Sequence, residues 1–145
     1  MAQSLEFRVK GDPVSKQRPR GIRFSGRHYT PKKTLDAEKR IRLYALASKD
    51  AFGWEKVEKP NCVKVEIVFG IKMPKTMTKA KHGGNRAEMV GRPCPKNKDV
   101  DNLEKTCLDA LNDCNIWHDD CQVTDLHARK IWDPEGFTEV RITRI

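Results

Sequence analysis

The sequence predicts an α+β domain in which a small mixed β-sheet packs with two main helices. Three features of the chain predict this class. Segments that alternate apolar and charged residues, as half-buried strands do, occur near both ends and in the middle. Two other segments repeat apolar residues at helical spacing. The length of 145 residues is typical of one domain, so we expect a single domain over residues 1–145.

The first half of the chain predicts a strand, a basic loop and a helix. Leu5, Phe7 and Val9 alternate with charged residues, which indicates a strand. Residues 14–33 are rich in Pro, Gly, Ser and cations, which is typical of a loop or a hairpin. A helix with one apolar face is predicted over residues 34–52, and its first residue is a threonine suited to be the N-cap.

The second half predicts three strands, a long loop and a second helix. The clearest strand covers residues 62–69, and two further strands are predicted at 122–132 and 138–145. A turn over residues 132–137 is expected to join the last two strands. Residues 73–97 contain three Pro and three Gly and predict a structureless, basic loop that is mobile without its ligand.

The second helix is predicted to begin at a pair of aspartates. Apolar residues from Val100 to Cys114 recur at helical spacing. Asp99 or Asp101 is the expected N-cap, and Asp101 with Glu104 three residues later matches a capping box.

The net charge of +9 favours a polyanionic partner, most often nucleic acid. Residues 1–34 hold nine Lys or Arg and two acids, and residues 72–98 hold eight Lys or Arg and one acid. Because each block carries a net charge of +7, the rest of the chain carries −5. We expect the two basic blocks to grip nucleic acid, the alternative being a domain that is merely basic. The cations expected to contact DNA are Lys16, Arg18, Arg20, Arg23, Arg27, Lys32, Lys33, Lys75, Lys79, Lys81, Lys96 and Lys98.

Four aspartates flank the second helix. Asp99 and Asp101 lie at its start, and Asp119 and Asp120 follow its end. If the strand at 122–132 lies beside the strand at 62–69, the sheet brings the chain back towards the start of the helix. Asp99, Asp101 and Asp120 can then converge. Clustered carboxylates repel one another unless a cation binds them, and their oxygens suit Mg²⁺, with Mn²⁺ as its substitute. The hypothesis of a metal site for phosphodiester hydrolysis requires that the three meet, in one chain or with a dimer mate.

Simpler explanations exist for the same residues. Asp99 and Asp101 also suit helix capping. Lys105 lies four residues from both Asp101 and Asp109, which fits contact with a scissile phosphate or an exposed ladder of ion pairs. An EF-hand is excluded because the loop counted from Asp99 has no Gly at position six and no Glu at position twelve.

Composition excludes other classes. The chain has no apolar run long enough to cross a bilayer, and its first residues lack the apolar region of a secretory signal. The five cysteines lack CxxC spacing, so we expect reduced thiols in a cytoplasmic protein, with no disulfide frame, no zinc site and no membrane partner.

The segment KDVDNLEKTCLDAL, followed by WHDDCQV, resembles the signature of the RusA family of Holliday-junction resolvases. That pattern is D-x-D-N-L-x-K, then a D-A-L helix, then D-D-x-Q-V, and every position is filled here. The segments PVSKQRPR and HYTPKK are similar to the basic N-terminal region of phage-type members. The resemblance implies a RusA-like fold, a homodimer with two active sites, and a Mg²⁺-dependent crossover-junction endodeoxyribonuclease of a kind often carried by prophages.

The resemblance also implies roles for individual residues. It implies metal-binding acids at Asp99, Asp101 and Asp120, a catalytic lysine at Lys105, and a secondary metal candidate at Asp119. The expected function is resolution of four-way DNA junctions by paired phosphodiester hydrolysis, in recombination, repair or phage DNA processing. The alternatives are a non-catalytic DNA- or RNA-binding protein of the same fold, and a nuclease that acts on other branched substrates.

Overall fold

A four-stranded mixed β-sheet lies at the centre of the protein. The structure is a computed structural model and describes residues 2–17, 20–21, 26, 28–96 and 98–145. The elements in chain order are β1 (Ser4–Lys10), β2 (Arg20–Gly21), β3 (His28–Tyr29), α1 (Lys32–Phe52), β4 (Val63–Lys72), α2 (Lys79–His82), α3 (Arg86–Met89), α4 (Val100–Asn112), β5 (Val123–Asp133) and β6 (Phe137–Arg144).

The sheet has the strand order β1-β6-β4-β5. The central strand β4 pairs antiparallel with β6 and parallel with β5. The two short strands β2 and β3 form a separate antiparallel pair, which confirms a hairpin in the basic N-terminal segment. The predicted α+β class, with a mixed sheet and the two main helices α1 and α4, is therefore confirmed.

The core lies between one face of the sheet and the two main helices. The alternation predicted for β1 is confirmed, since Leu5, Phe7 and Val9 are buried while their neighbours are exposed. The helices α1 and α4 pack on each other and cover this face with side chains at helical spacing. Those buried side chains include Ile41 and Ala45 of α1 and Leu103, Cys107, Ala110 and Leu111 of α4. Apolar burial thus sets the position of α4 against the sheet.

The predicted connection between the last two strands differs from a hairpin. Residues 134–136 join β5 to β6, but β4 lies between these two strands, so the connection crosses over β4. Gly70 makes the crossing feasible, because a Cβ atom there would lie 2.3 Å from the ring of Phe137. The predicted turn therefore joins the two strands, but they do not pair with each other, because β4 takes the place between them.

The segment 73–97 is not structureless, which corrects the prediction. It contains the short helices α2 and α3 and buries Met73, Met77, Met89 and Cys94 against the rest of the protein. Backbone hydrogen bonds also join residues 91–94 to the end of β5. Widely spaced methionines anchor the segment without a periodic pattern, so the Pro and Gly content concealed its order. Its mobility without a ligand stays a prediction.

The predicted N-cap position is wrong for α1 and confirmed for α4, where Asp99 was one of the two candidates. Helix α1 begins at Lys32 after Pro31, so Thr34 is buried in the first turn instead of being the N-cap. Helix α4 begins at Val100, with Asp99 in the N-cap position. The capping box predicted from Asp101 and Glu104 is therefore wrong, because both residues lie inside the helix.

Two further findings concern the cysteines and the helices. All five cysteines are free thiols, and burial raises the pKa of the Cys107 thiol to about 12. None of the helices that the structure describes is long and apolar enough to cross a membrane.

We predict that Gly70→Ala destabilises the fold by about 2 kcal/mol, because the new methyl group overlaps the Phe137 ring. Urea denaturation measures the loss. In a Phe137→Ala background the ring is absent, so the same change should cost much less. An equal cost in both backgrounds would contradict the proposed crossing at Gly70.

Candidate active site

Two exposed carboxylates lie at the N-terminal end of α4. Asp99 occupies the N-cap position, yet its side chain makes no capping hydrogen bond. Asp101 lies in the first turn, and both residues are exposed. The simpler explanation of Asp99 as a side-chain cap is therefore wrong. The positive end of the helix dipole stabilises anions here, which offsets the repulsion between the two carboxylates. Because both residues are exposed, a cation can reach them from solvent.

Glu104 is a third acid at the same end of α4, and the sequence reasoning treated it only as a capping residue. Partial burial and the charge of Asp101 raise the pKa of Glu104. The two residues lie three apart in the helix, so the spacing was the available signal. Glu104 therefore adds a third carboxyl group to the first two turns of α4, close enough to Asp101 to feel its charge.

Two lysines fix the backbone that leads to Asp99. Lys130 of β5 donates to the carbonyl oxygens of Lys96 at 2.7 Å and Lys98 at 2.5 Å. The Lys98 ammonium in turn donates to Asp12 Oδ2 and to the Pro13 carbonyl, both at 2.6 Å. Lys98, expected to contact DNA, thus holds the N-terminal segment to the start of α4, and this placement favours a structural role.

Lys16 occupies a similar internal position. Its ammonium lies 2.6 Å from Glu38 Oε1 and 3.0 Å from Asp109 Oδ2, and its side chain is 17% exposed. Burial lowers the pKa of Lys16, but hydrogen bonds to Glu38 and Asp109 outweigh it and leave the pKa raised. The Lys16 backbone N–H also donates to the Asn102 carbonyl at 3.0 Å. Lys16 therefore ties the basic N-terminal segment to α1 and α4.

Lys105 is exposed on α4, one turn after Asp101. Its expected partner in an ion-pair ladder, Asp109, pairs with Lys16 instead. Within the part of the chain that the structure describes, Lys105 makes no ion pair. The ladder explanation is therefore not supported, and Lys105 is an exposed cation one helical turn after Asp101.

Asp120 lies at the opposite end of α4. Asn112, the last residue of the helix, donates from Nδ2 to Asp120 Oδ2 at 3.3 Å. Since α4 has 13 residues, its two ends are about 20 Å apart. The expectation that Asp99, Asp101 and Asp120 converge within one chain is therefore wrong. Across the described residues, no three His, Cys, Asp or Glu side chains are grouped closely enough to hold a metal ion.

Asp119 caps the short 3₁₀ turn Asp120–Gln122. Its carboxylate accepts from the Cys121 N–H at 3.0 Å, which lowers the pKa of Asp119 to about 2. Its other oxygen lies 3.6 Å from Lys59 Nζ. Because both oxygens already have partners, the geometry favours Asp120 over Asp119 as a metal ligand.

Gln122 anchors the acidic turn from the inside. The side chain is buried and its Oε1 accepts from the backbone N–H groups of His118 at 2.7 Å and Asp119 at 2.8 Å. Its Nε2 donates to the carbonyl oxygens of Val57 at 3.1 Å and Asn61 at 2.9 Å. The Gln122 oxygen thus accepts two hydrogen bonds and its NH₂ group donates two, so no polar atom of this buried side chain lacks a partner. These four bonds hold the turn that carries Asp120.

The cations predicted to contact DNA divide into several groups. Arg18, Arg23 and Arg27 lie outside the described residues, and Arg20 is described only as backbone in β2. Lys96 is half-buried, and Lys16 and Lys98 are paired internally. The exposed members are Lys32, Lys33, Lys75, Lys79 and Lys81. These five lysines come from the start of α1 and the segment around α2.

Comparison with known proteins identifies the class. A family model described as "Endodeoxyribonuclease RusA" matches residues 10–143, so the chain belongs to the RusA endodeoxyribonuclease family. The chain is thus a nuclease by class, and the family implies a DNA junction as substrate. It is also 32% identical over 144 residues to "Uncharacterized protein YqaN" of Bacillus subtilis (strain 168), a match that covers 97% of this chain and 96% of that protein.

We predict that Lys16→Met lowers the free energy of unfolding by about 2 kcal/mol, between the values typical of surface and buried ion pairs. The matched variant Lys32→Met, at an exposed position, should change stability by less than about 0.5 kcal/mol and weaken DNA binding instead. Urea denaturation and electrophoretic mobility shift measure the two effects. Equal stability of the two variants would argue against the internal role of Lys16.

Proposed function

We propose that the protein is a divalent-metal-dependent endonuclease that resolves four-way DNA junctions by paired phosphodiester hydrolysis. The observation that carries the proposal is the pair of exposed, uncapped carboxylates of Asp99 and Asp101 in a chain of the endodeoxyribonuclease family. A helix start that needed an acid for capping would use the Asp99 side chain, and this one does not.

The residues at the start of α4 fit Mg²⁺, or Mn²⁺ in its place. Mg²⁺ takes one or two protein carboxylates and completes its shell with water and substrate phosphate. Asp99 and Asp101 are acid ligands with hard oxygens, and both are open to solvent. When bound, the ion supplies an activated water and neutralises charge that develops on the phosphate.

Lysines of the chain stabilise the charge on the phosphate and attract the DNA. The Lys105 ammonium, one turn from Asp101 and without an ion-pair partner among the described residues, donates to a phosphate oxygen and stabilises its developing charge. The exposed lysines at the start of α1 and around α2 attract the DNA backbone towards the acidic end of α4, which would otherwise repel it.

The third acid is proposed to come from a second copy of the chain. Strand β5 supports this placement, because residues 124–127 are exposed and Leu126 is 42% exposed. Residues 91–94 cover β5 at Lys130–Trp132, and no other residue that the structure describes pairs with this edge before Lys130, so we propose that this part of the edge is open for pairing. An antiparallel pair of β5 edges centred on Leu126 would bring Asp120 of one copy towards the α4 start of the other, since Lys130 is tied to the residues before Asp99.

A two-fold dimer also suits the substrate. Two identical sites related by two-fold symmetry match the opposed strands of a four-way junction. Each site would then hold Asp99 and Asp101 from one copy and Asp120 from the other, so neither copy would be complete alone.

We predict that the wild type nicks a four-way junction in Mg²⁺ and not in chelator, and that Asp101→Asn abolishes cutting while junction binding persists. Labelled junction, duplex, flap and RNA substrates are compared, with Lys32→Met as a variant that weakens binding only. Binding without any Mg²⁺-dependent product would identify a non-catalytic binding protein. Preferential cutting of flaps or RNA would identify a nuclease of different specificity.

Mixed dimers test the shared site. Asp101→Asn and Asp120→Asn should each be inactive alone, whereas mixing them should restore one intact site per mixed dimer and hence single-strand nicking of the junction. Differently tagged subunits, co-purified, give the mixed species. Complete inactivity of the mixed dimer would mean that the two subunits do not share a site in this way, and the proposed shared site would be abandoned.

A further inference from the structure

We infer that Asn112 and Trp117 are positioning residues that orient the Asp120 carboxylate for its ligand. The inference rests on the proposed function and goes beyond it, because neither residue belongs to the acid set or to the DNA-contacting cations. The observation is a continuous hydrogen-bond chain from the Trp117 indole through the Asn112 amide to Asp120.

The two hydrogen bonds run in one direction, from the indole to the carboxylate. Trp117 Nε1 donates to Asn112 Oδ1 at 2.9 Å, and Asn112 Nδ2 donates to Asp120 Oδ2 at 3.3 Å. An indole N–H can only donate, so it selects the amide orientation in which Oδ1 faces the ring. The same orientation presents the amide NH₂ group to the carboxylate. Without the indole donor, the Asn112 amide is free to rotate and place its oxygen beside Asp120. The amide oxygen and the carboxylate oxygen would then repel each other, and the hydrogen bond to Asp120 would be lost.

The partner chemistry suits a metal ligand. The amide is neutral, so it holds one carboxylate oxygen without the charge that a lysine or arginine would set against a cation. Asn112 holds Asp120 by its Oδ2 atom. The two residues also line a surface cavity of about 230 Å³ together with Trp117, His118 and Asp119. Hydrogen-bonded partners of this kind fix the orientation of ligating side chains.

The turn does not need Asn112 to hold its shape. Gln122 anchors it to Val57 and Asn61, and Asp119 caps it. Trp117 is buried by packing, with only 3% of the residue exposed, so its position does not depend on the single hydrogen bond. Removing the Asn112 amide should therefore release the Asp120 carboxylate without unfolding the turn.

Two variants separate orientation from packing. Asn112→Ala removes the amide, and Trp117→Phe keeps an aromatic ring while removing the donor. Each should raise the Mg²⁺ concentration for half-maximal junction cleavage by about 10-fold, with a smaller change of kcat at saturating Mg²⁺. Asn61→Ala is the matched control, because the residue is exposed and the hydrogen bonds that tie it to Gln122 and Glu58 use its backbone groups, which the substitution keeps. Far-ultraviolet circular dichroism and urea denaturation verify the folds.

A readout without catalysis uses the indole N–H signals of the ¹⁵N-labelled chain. The three tryptophans differ: Trp54 donates to the Ile116 carbonyl, Trp117 donates to Asn112, and Trp132 Nε1 has no partner in the described structure. Single Trp→Phe variants assign the three peaks. Titration with Mg²⁺ alone should shift the Trp117 peak in the wild type, and should not do so in Asn112→Ala or Asp120→Asn.

The outcomes distinguish this inference from the proposed function. Mg²⁺-dependent cleavage together with an unmoved Trp117 peak and unchanged Mg²⁺ dependence in both variants would overturn the positioning role and leave the nuclease intact. A Trp117 shift that requires Asn112 and Asp120 in a protein that cleaves no nucleic acid would support the role and overturn the nuclease. Equal loss of kcat at every Mg²⁺ concentration in the two variants would also overturn the positioning role.

Discussion

Helix α4 is a rigid spacer, and its length controls what the acidic residues can do. A helix of 13 residues keeps its ends about 20 Å apart, because its backbone hydrogen bonds fix the rise per residue. Asp99 and Asp101 therefore stay at one end and Asp120 at the other. Packing against α1 and the sheet holds the helix in place, so no small adjustment closes the gap. A site that needs all three carboxylates must recruit a second chain.

The aspartates differ in how much of their hydrogen-bonding capacity the fold already uses. Asp119 gives both oxygens to its own turn and to Lys59. Asp120 gives one oxygen to Asn112, and Asp99 gives neither to the helix that follows it. A carboxylate that the protein leaves without partners keeps its affinity for an external cation. This ordering, which spacing along the chain does not reveal, separates structural acids from candidate ligands.

The basic residues divide in the same way. Lys16, Lys98 and Lys130 hold the N-terminal segment, the start of α4 and β5 together. Glu38 and Asp109 neutralise the charge of Lys16, and Asp12 neutralises that of Lys98, whereas Lys130 donates to backbone carbonyl oxygens. These three lysines therefore contribute little to the positive potential at the surface. The exposed lysines on α1 and around α2 remain for the polyanion. A count of cations therefore overstates the surface available to DNA.

The sequence by itself determined the class of the fold, the burial of alternating residues such as Val63 and Val65, and the membership suggested by the aspartate motifs. These depend on local periodicity and on residue types at fixed spacing, which are written along the chain. Only the tertiary structure decided that β4 separates β5 from β6, that methionines anchor the segment 73–97, and that Asp120 lies far from Asp99. Those outcomes depend on which distant surfaces bury each other and on the length of an intervening helix, and neither quantity is encoded in any short stretch of sequence.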